Sequence, residues 1–327
     1  MLYYSPGLLA AGAVYFHHNK NTSRCCVYKK GLLYAFLAYL TWGLFPIYWK
    51  LLHQVDAVQL IGHRITWSFI ILIIIILATR QFRDFKKAAV NRQVITIYFF
   101  AAIMIAINWL VYVYGVNANY IIETSLGYFI NPLLSVLLGV FFLREKLRPF
   151  QWVSVAIAAA GVIYLTFVYG RIPWIALSLA VSFATYGLLK KLAPLGSLYG
   201  LTIETGLLFI PALIYLFYLD MTGSGAFMRQ TPVTTYLLMG AGVVTTIPLL
   251  LFASATKNIP LSMVGIMQYL TPSMQLILGI YIYGEKFDQS HFIGFAVVWL
   301  ALIVFVIEGF WTRKALSSQP IPELGEG

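Results

Sequence analysis

Of the ionisable side chains that fall inside long apolar stretches of this sequence, three are the strongest functional candidates. Arg64 and Glu123 lie a few residues from the ends of two such stretches, and Glu204 lies near the end of a third. A charged group at the centre of a membrane helix costs about 2.5–3.5 kcal/mol on insertion scales, so such residues usually serve a function. We therefore interpret all three as candidates for binding a polar ligand or for carrying protons.

Each charge also has a plainer explanation as a structural ion pair. Arg64 and Glu123 have matching depths below one surface, so the sequence predicts that they pair or share a polar cavity. Glu204 has comparable depth to Lys190 and Lys191 near the opposite surface, and these lysines are either its partners or simple interface anchors. A salt bridge that only holds helices together would explain either pairing.

Uncharged polar side chains continue from these charges towards the middle of the apolar stretches. They are Asn108, Tyr112, Ser125, Asn131, Gln268, Thr271 and Gln275. Hydrogen bonds between helices would explain any single one of them. Taken together they predict a lined cavity, and nearby aromatic residues would give it walls suited to an amphipathic organic ligand. These aromatic residues are Trp42, Trp67, Trp109, Tyr128 and Tyr269.

The sequence contains no recognisable set of catalytic or metal-binding residues. The histidines that follow the first apolar stretch, His53, His63 and His291, lack ligand spacing, and there is no His-Glu-x-x-His motif. The Gly-rich lysine loop of ATPases is also absent, so ATP is not the expected energy source. We expect no enzyme activity, no metal and no cofactor, because membrane-embedded enzymes need a nucleophile–base pair or a metal cluster.

The motif Pro-x6-Gly-x5-Glu-Lys occurs twice, at an offset of 140 residues. Its copies begin at Pro132 and Pro272 and end at Glu145-Lys146 and Glu285-Lys286. A proline inside a helix removes a backbone hydrogen bond and bends the helix, so we predict helix breaks at both prolines. Each Glu-Lys pair ends an apolar stretch, and helix capping at the surface explains it without any contact to a ligand.

The composition identifies an integral membrane protein. Of the 327 residues, 61% are hydrophobic and 10% are charged, whereas soluble domains carry about 25% charged residues. A helix needs about 20 apolar residues to cross the hydrocarbon core. Ten stretches qualify: 32–52, 59–79, 94–114, 119–142, 150–169, 173–189, 198–219, 235–255, 259–283 and 291–311. The predicted fold is therefore an all-α integral membrane protein with ten transmembrane helices.

The basic residues predict the orientation of these helices. With a cytoplasmic N-terminus, 17 Lys and Arg residues fall on the inside and 4 on the outside. This bias follows the positive-inside rule and puts both termini in the cytoplasm. Because the basic residues lie in short loops, the net charge of +11 reflects topology, and we expect no nucleic-acid partner.

The repeated motif divides the chain into two related halves. We assign residues 29–170 to the first repeat and 171–314 to the second, with five predicted helices in each. An odd number of helices per unit inverts one repeat relative to the other across the membrane. Residues 1–28 are interpreted as a disordered or non-native extension and residues 315–327 as a disordered tail.

Several runs of residues resemble a known family. They are Asn108-Trp109, Glu123-x-Ser125-Leu126-Gly127-Tyr128-Phe129-Ile130-Asn131-Pro132-Leu133, Gln151-Trp152, Pro248-Leu249-x-x-Phe252 and Gly265-x-x-Gln268-Tyr269-x-x-Pro272. The chain resembles the RarD group of the EamA family, in the drug/metabolite transporter superfamily, over residues 29–312. The resemblance implies ten helices in two inverted EamA repeats, an inner-membrane location and a transport role. It brings no settled binding residues.

These observations predict a secondary-active transporter, and specifically an exporter of a small organic metabolite or drug that uses alternating access and a proton gradient. Substrate-binding or coupling roles are assigned to Arg64, Glu123, Asn108, Tyr112, Asn131, Glu204, Gln268 and Tyr269, and helix breaks to Pro132 and Pro272. A passive channel or a ligand-binding sensor is the alternative. The expected partners are the small-molecule substrate and the lipid bilayer, and the oligomeric state stays open.

Overall fold

The computed structural model describes residues 7–118, 120–170 and 172–282, with scattered positions between 293 and 308. Side chains are described from Val27 onward, except at a few positions within helices. The predicted tenth helix, Glu285-Lys286 and the C-terminal tail lie wholly or largely outside the described residues. Every regular element in the described part is an α-helix. The helices are α1 (Gly7–Lys50), α2 (Ala57–Ala78), α3 (Phe82–Ala89), α4 (Arg92–Asn117), α5 (Ile121–Leu143), α6 (Pro149–Tyr169), α7 (Trp174–Leu192), α8 (Ser197–Met221), α9 (Pro232–Asn258), α10 (Leu261–Met267) and α11 (Leu270–Tyr281).

Seven segments of these helices are long and apolar enough to cross a membrane. They are Val27–Lys50, Ala57–Ala78, Arg92–Gly115, Leu126–Leu143, Trp174–Leu192, Ser197–Met221 and Pro232–Asn258. The chain is thus a multi-pass membrane protein, because backbone groups in lipid must find partners within the protein and helices satisfy them internally. The long helix α6 is apolar over Pro149–Tyr164.

Local sequence signals set the helix ends. Asp56 begins α2 by accepting hydrogen bonds from the backbone nitrogens of Val58 at 2.9 Å and Gln59 at 3.1 Å. Thr231 caps α9 in the same way, and Pro232 follows it at the first helical position. Gly170 ends α6 with a φ of 76°, in the left-handed region that glycine enters at little cost.

The two repeated prolines have different effects on their helices. The predicted helix 259–283 is divided into α10 and α11 at Gln268 and Tyr269, one turn before Pro272. Proline clashes with the carbonyl four residues earlier, which here belongs to Gln268. In contrast, α5 runs without interruption through Pro132 from Ile121 to Leu143. The expected break at Pro132 is therefore absent from α5, since a proline can bend a helix without ending it.

The helices from the two halves of the chain pack against one another. Contacts join α1 with α9 and α11, α2 with α8 and α9, α4 with α7 and α8, and α5 with α7 and α10. The α2–α9 contact is close because Gly242 has no side chain: a Cβ atom there would lie 2.6 Å from the backbone carbon of Trp67. The space between the halves is therefore enclosed by helices from both of them.

Candidate functional site

A cavity of about 250 Å³ lies between helices of the two halves. Its walls combine aromatic, aliphatic and polar side chains from α1, α2, α4, α5, α7, α9 and the α10–α11 segment. The lining residues are Tyr39, Trp42, Phe45, Pro46, Trp49, Arg64, Ile105, Asn108, Trp109, Tyr112, Gly127, Tyr128, Asn131, Leu179, Phe183, Leu249, Gln268, Thr271 and Gln275. We call this space the central cavity.

Five of the eight residues predicted to bind substrate or couple transport line the central cavity: Arg64, Asn108, Tyr112, Asn131 and Gln268. Thr271, Gln275, Trp42, Trp109 and Tyr128, which the sequence also suggested, line it as well. The side chain of Ser125 lies outside the described set.

Arg64 is the only charged residue among those that line the cavity in the described part of the chain. Its Nε donates a hydrogen bond of 2.9 Å to Thr245 Oγ1 on α9. Its guanidinium carbon lies 4.9 Å from the ring centroid of Trp49 and 4.6 Å from that of Trp109. Cation–π attraction to two indoles and one hydroxyl contact therefore hold a half-buried cation at the cavity wall.

Asn108 connects α4 to α7. Its amide nitrogen donates to Leu179 O at 2.9 Å and to Ser182 Oγ at 3.1 Å. Both amide hydrogens are thus used within the protein, and only the side-chain oxygen is left to face a solute. Beside it, the rings of Tyr112 and Tyr128 meet edge to face with centroids 6.1 Å apart.

The break between α10 and α11 contributes the opposite wall of the cavity. Gln268 lies at the break, and Thr271 Oγ1 donates to the backbone oxygen of Tyr39 at 2.9 Å. Gln275 Nε2 donates to Trp42 O at 3.3 Å. The Tyr39 hydroxyl is buried and has no hydrogen-bond partner among the described residues. A buried polar atom without a partner is costly, so it marks a place where a ligand or water would bind.

Tyr269 and Pro132 lie next to the central cavity rather than in its wall. The Tyr269 hydroxyl donates to Phe129 O at 3.2 Å, and its ring lines a small apolar space together with Pro132. Tyr269 is 2% exposed, so it packs α10–α11 against α5. Trp67, another predicted wall residue, packs on Phe227 instead, with ring centroids 5.8 Å apart.

Glu123 has a different partner from the one that its depth suggested. Its Oε1 accepts a hydrogen bond of 2.6 Å from the backbone nitrogen of Ile175, in the first turn of α7. Within the described residues Glu123 and Arg64 form no salt bridge, and Glu123 does not line the central cavity. A helix N-terminus attracts a carboxylate because its first backbone N–H groups have no partner inside the helix.

Glu204 pairs with Lys190, as the sequence suggested. Lys190 Nζ lies 2.7 Å from Glu204 Oε1, and the two side chains are 1% and 2% exposed. Tyr186 donates its hydroxyl to the other carboxylate oxygen at 3.0 Å. The Lys190 ammonium also lies 5.4 Å from the Tyr98 ring centroid. Both oxygens of Glu204 are therefore bound inside the protein.

Two further lysines tie the same end of the helix bundle together. Lys191 donates to the backbone oxygen of Ile259, after α9, and Lys257 donates to that of Ala193, after α7, at 2.6 Å. Lysine thus binds unpaired carbonyls at the C-terminus of the neighbouring helix, where the helix dipole favours a cation. We call the Lys190–Glu204–Tyr186 network together with Lys191 and Lys257 the sealed end.

The first Glu-Lys motif belongs to this end of the molecule. Glu145 accepts hydrogen bonds from the backbone nitrogens of Leu261 at 2.6 Å and Ser262 at 2.9 Å, and so caps α10. Gly139 makes room for this contact, because a Cβ atom there would lie 3.1 Å from Ser262 N. The expected capping role is thus observed at this copy, and the capped helix comes from the other half.

Four aromatic rings separate the central cavity from the sealed end. Trp42 and Phe183 line the cavity, with centroids 5.7 Å apart, and Phe183 lies 5.3 Å from Phe252. Phe252 stacks on Tyr186, centroids 5.9 Å apart, and Tyr186 is the hydroxyl donor to Glu204. We call these four rings the aromatic plug, since they form a continuous row from the cavity to the buried ion pair.

Several wall residues on α1 were not predicted from the sequence. Tyr39, Trp49 and Phe45 line the cavity together with Trp42 and Pro46. Positions 39, 42, 46 and 49 follow the spacing of one helix face, which could have indicated a shared wall. Thr245, the partner of Arg64, gave no such signal, because a threonine in an apolar helix is common.

Comparison with known proteins decides the family. The EamA-like transporter family matches this sequence twice, over residues 29–167 and 171–307. The chain belongs to the EamA-like transporter family. It is 44% identical over 295 residues to the uncharacterized transporter YojE of Bacillus subtilis, covering 89% of this chain and 98% of that protein. It is 39% identical over 290 residues to protein RarD of Escherichia coli, covering 88% and 98% of the two chains.

These relatives confirm the resemblance to the RarD group, and with it the class of membrane transporter. A solved crystal structure has the same fold: it superposes with a TM-score of 0.62 at 16% identity and covers 84% of this chain and 96% of its own. At that identity the likeness concerns the fold alone. Membership of a transporter family implies a small-molecule substrate and a lipid environment for this EamA protein.

Proposed function

We propose that this EamA protein is a secondary-active transporter that exports a small organic metabolite or drug across the plasma membrane by alternating access. The substrate would bind in the central cavity, among Arg64, Tyr112, Asn131 and Gln268. The observation that carries the proposal is a polar and aromatic cavity between the halves, with a buried ion pair beyond the aromatic rings at one side of it. A transporter needs such a site to be open to one side at a time.

The packing of the helices supports two inverted repeats. In such an arrangement α1, α2, α4 and α5 of the first half correspond, in this order, to α7, α8, α9 and α10–α11 of the second. When each helix is replaced by its counterpart, most of the main helix contacts become other contacts that are observed. Thus α5–α7 becomes α11–α1, α4–α7 becomes α9–α1, and α2–α9 becomes α8–α4, while α2–α8 and α5–α10 map onto themselves. A twofold relation of this kind allows two states in which the halves exchange conformations, one open to each side, as they rock about a common site.

The orientation follows from the basic residues. Under the positive-inside rule, Lys190, Lys191 and Lys257 belong to the cytoplasmic side, as do both termini. The sealed end would then be the closed inner gate, and the central cavity would face the outer side. Opening the inner gate would require the aromatic plug to part and the Lys190–Glu204 pair to separate or move.

Glu204 is our first candidate for coupling to protons. Protonation would remove its charge and weaken the contact with Lys190, which would favour an open inner gate. Glu123 is a less direct candidate, because its carboxylate binds the start of α7. Under this proposal an inward proton flow would drive the substrate outward.

The test is transport by the purified protein in lipid vesicles. A proton gradient is imposed in either direction, a metabolite mixture is supplied on one side, and mass spectrometry follows movement. We expect at least one solute to accumulate against its gradient and to stop when the proton gradient is collapsed. Movement that only equalises concentrations would indicate a channel, and binding without movement would indicate a sensor. Either result would overturn the proposal.

A further inference from the structure

We propose that the transported solute is an organic monoanion whose carboxylate binds the terminal guanidinium nitrogens of Arg64 and whose apolar body lies on the aromatic walls. This inference rests on the proposed function and names the substrate class of the same cavity. It follows from how the charges are distributed between the cavity and the rest of the described chain.

Among the described residues, the positive charge of Arg64 has no carboxylate partner. The three salt bridges of the described residues join Arg148 to Glu308, Lys190 to Glu204, and Arg229 to Asp220. The other carboxylates with described hydrogen bonds cap helices: Asp56 caps α2, Glu123 binds the start of α7, and Glu145 caps α10. Proteins rarely bury an unpaired cation without a reason, because its desolvation is not compensated. A bound anion would supply the compensation.

The planar guanidinium of Arg64 suits a carboxylate better than the point charge of a lysine ammonium would. Nε is held by Thr245, and the guanidinium carbon lies 4.9 Å and 4.6 Å from the ring centroids of Trp49 and Trp109. The two terminal nitrogens make no hydrogen bond to the described residues and belong to a side chain that lines the cavity. A guanidinium pre-positioned in this way can donate two parallel hydrogen bonds to one carboxylate.

The remainder of the cavity suits an apolar body with few polar groups. Trp42, Ile105, Phe183 and Leu249 give apolar surface. Among the described residues no second Lys, Arg or His side chain lines the cavity, so a dianion would lack a second basic partner. The volume of about 250 Å³ lies below the range of roughly 300–1,000 Å³ for drug-sized ligands, which favours a small metabolite.

The test compares carboxylic acids with their amides of the same shape. The full chain is placed in nanodiscs of zwitterionic lipid. Binding of butyrate, 3-phenylpropionate and indole-3-acetate, and of each matching amide, is measured by calorimetry and by quenching of tryptophan fluorescence. We expect at least one acid to bind at least about tenfold more tightly than its amide, because hydrogen bonds to charged groups are the stronger ones. Phenylalanine tests whether an added ammonium group is tolerated.

Variants then assign the preference to one side chain. Arg64→Gln should lower the affinity for the acid to that for the amide and leave the affinity for the amide unchanged. Arg64→Lys should recover part of the preference, because it restores the charge without the planar fork. Asp220→Asn, which also removes one charge but lies at an exposed position, serves as the matched control and should bind like the native protein.

Two results would overturn the inference: acids and amides that bind equally or not at all to the native protein, or full acid preference in Arg64→Gln. The comparison on the native protein needs no variant, so a folding defect in Arg64→Gln leaves the test intact. Its failure also differs from failure of the transport proposal. Export of a neutral solute would support the transport function and contradict the proposed anionic substrate. Tight binding of an acid without any movement would support the anion site and contradict the transport function.

Discussion

Arg64 on α2 and Glu204 on α8 occupy corresponding positions in the two halves, at the repeat offset of 140 residues, yet their surroundings are opposite. Arg64 lines the central cavity and is held by indole rings and one hydroxyl, without a carboxylate among the described residues. Glu204 is buried, and its two oxygens are bound by Lys190 and Tyr186. The charge of Arg64 is therefore available to a solute, whereas the charge of Glu204 is neutralised by Lys190.

This difference shows how a duplicated scaffold can serve one asymmetric state. Related helices give both halves a buried ionisable position, but the neighbours decide whether that position binds a solute or closes a path. In the proposed mechanism one region must hold water and ligand while the other excludes them. A buried ion pair is difficult to separate, because removing either partner leaves an uncompensated charge inside the protein.

The largest expected effect is on the sealed end. Lys190→Ala should lower the free energy of unfolding by about 3–5 kcal/mol, because Glu204 then stays buried without its cation. Unfolding in a denaturing detergent, followed by tryptophan fluorescence, measures the change.

The double variant Lys190→Met/Glu204→Met is the control for that effect. It should recover most of the lost stability, since replacing both members of a buried pair by apolar residues is often neutral. It should also abolish any dependence of transport on a proton gradient. A single Lys190→Ala variant as stable as the native protein would contradict our account of the sealed end.

A smaller effect is expected from the helix cap beside the sealed end. Glu145→Ala should cost about 1–2 kcal/mol, because Leu261 and Ser262 lose the acceptor for their backbone N–H groups. Glu145→Gln keeps one acceptor oxygen and should cost less. The same detergent unfolding assay compares the two, and hydrogen exchange at the start of α10 should rise in Glu145→Ala first. Equal protection in both variants would show that the cap is not needed.

Arg64 should contribute little to stability, in contrast to Lys190. Arg64→Gln removes two cation–π contacts and one hydrogen bond but also removes an unpaired cation, so we expect a net change within about 1 kcal/mol. An Arg64→Gln variant that inserts correctly but no longer binds solute would show that Arg64 serves binding, whereas Lys190 serves stability. A destabilisation as large as that of Lys190→Ala would instead make Arg64 a structural residue.

The smallest effect is expected at the exposed ion pair between Arg229 and Asp220. Its distance of 2.8 Å is close to that of the buried pair, but its side chains are 48% and 55% exposed. Solvent and salt screen such pairs, so Asp220→Asn should leave the melting temperature unchanged at 0.15 M salt. A clear loss would mean that distance, rather than burial, sets the strength of these ion pairs.

Sequence patterns predicted the class of the molecule and much of the cavity. The apolar stretches indicated membrane helices, and Asn108, Asn131 and Gln268 were correctly expected to line a shared space. The pairing of Glu204 with Lys190 was one of two alternatives that the sequence left open, since both lie near the same end of neighbouring helices. These predictions succeed because hydropathy and spacing set how deep a residue lies along its own helix.

The sequence alone therefore established a duplicated helical membrane protein and the depth of its polar residues. The tertiary structure decided which of these residues meet. Glu123 binds the backbone of α7 instead of Arg64, and Arg64 finds Trp49 and Thr245 on other helices. The physical reason is that lateral neighbours depend on how each helix is rotated about its axis and on which helix packs beside it. Contacts across the whole bundle set both, and no local pattern records them.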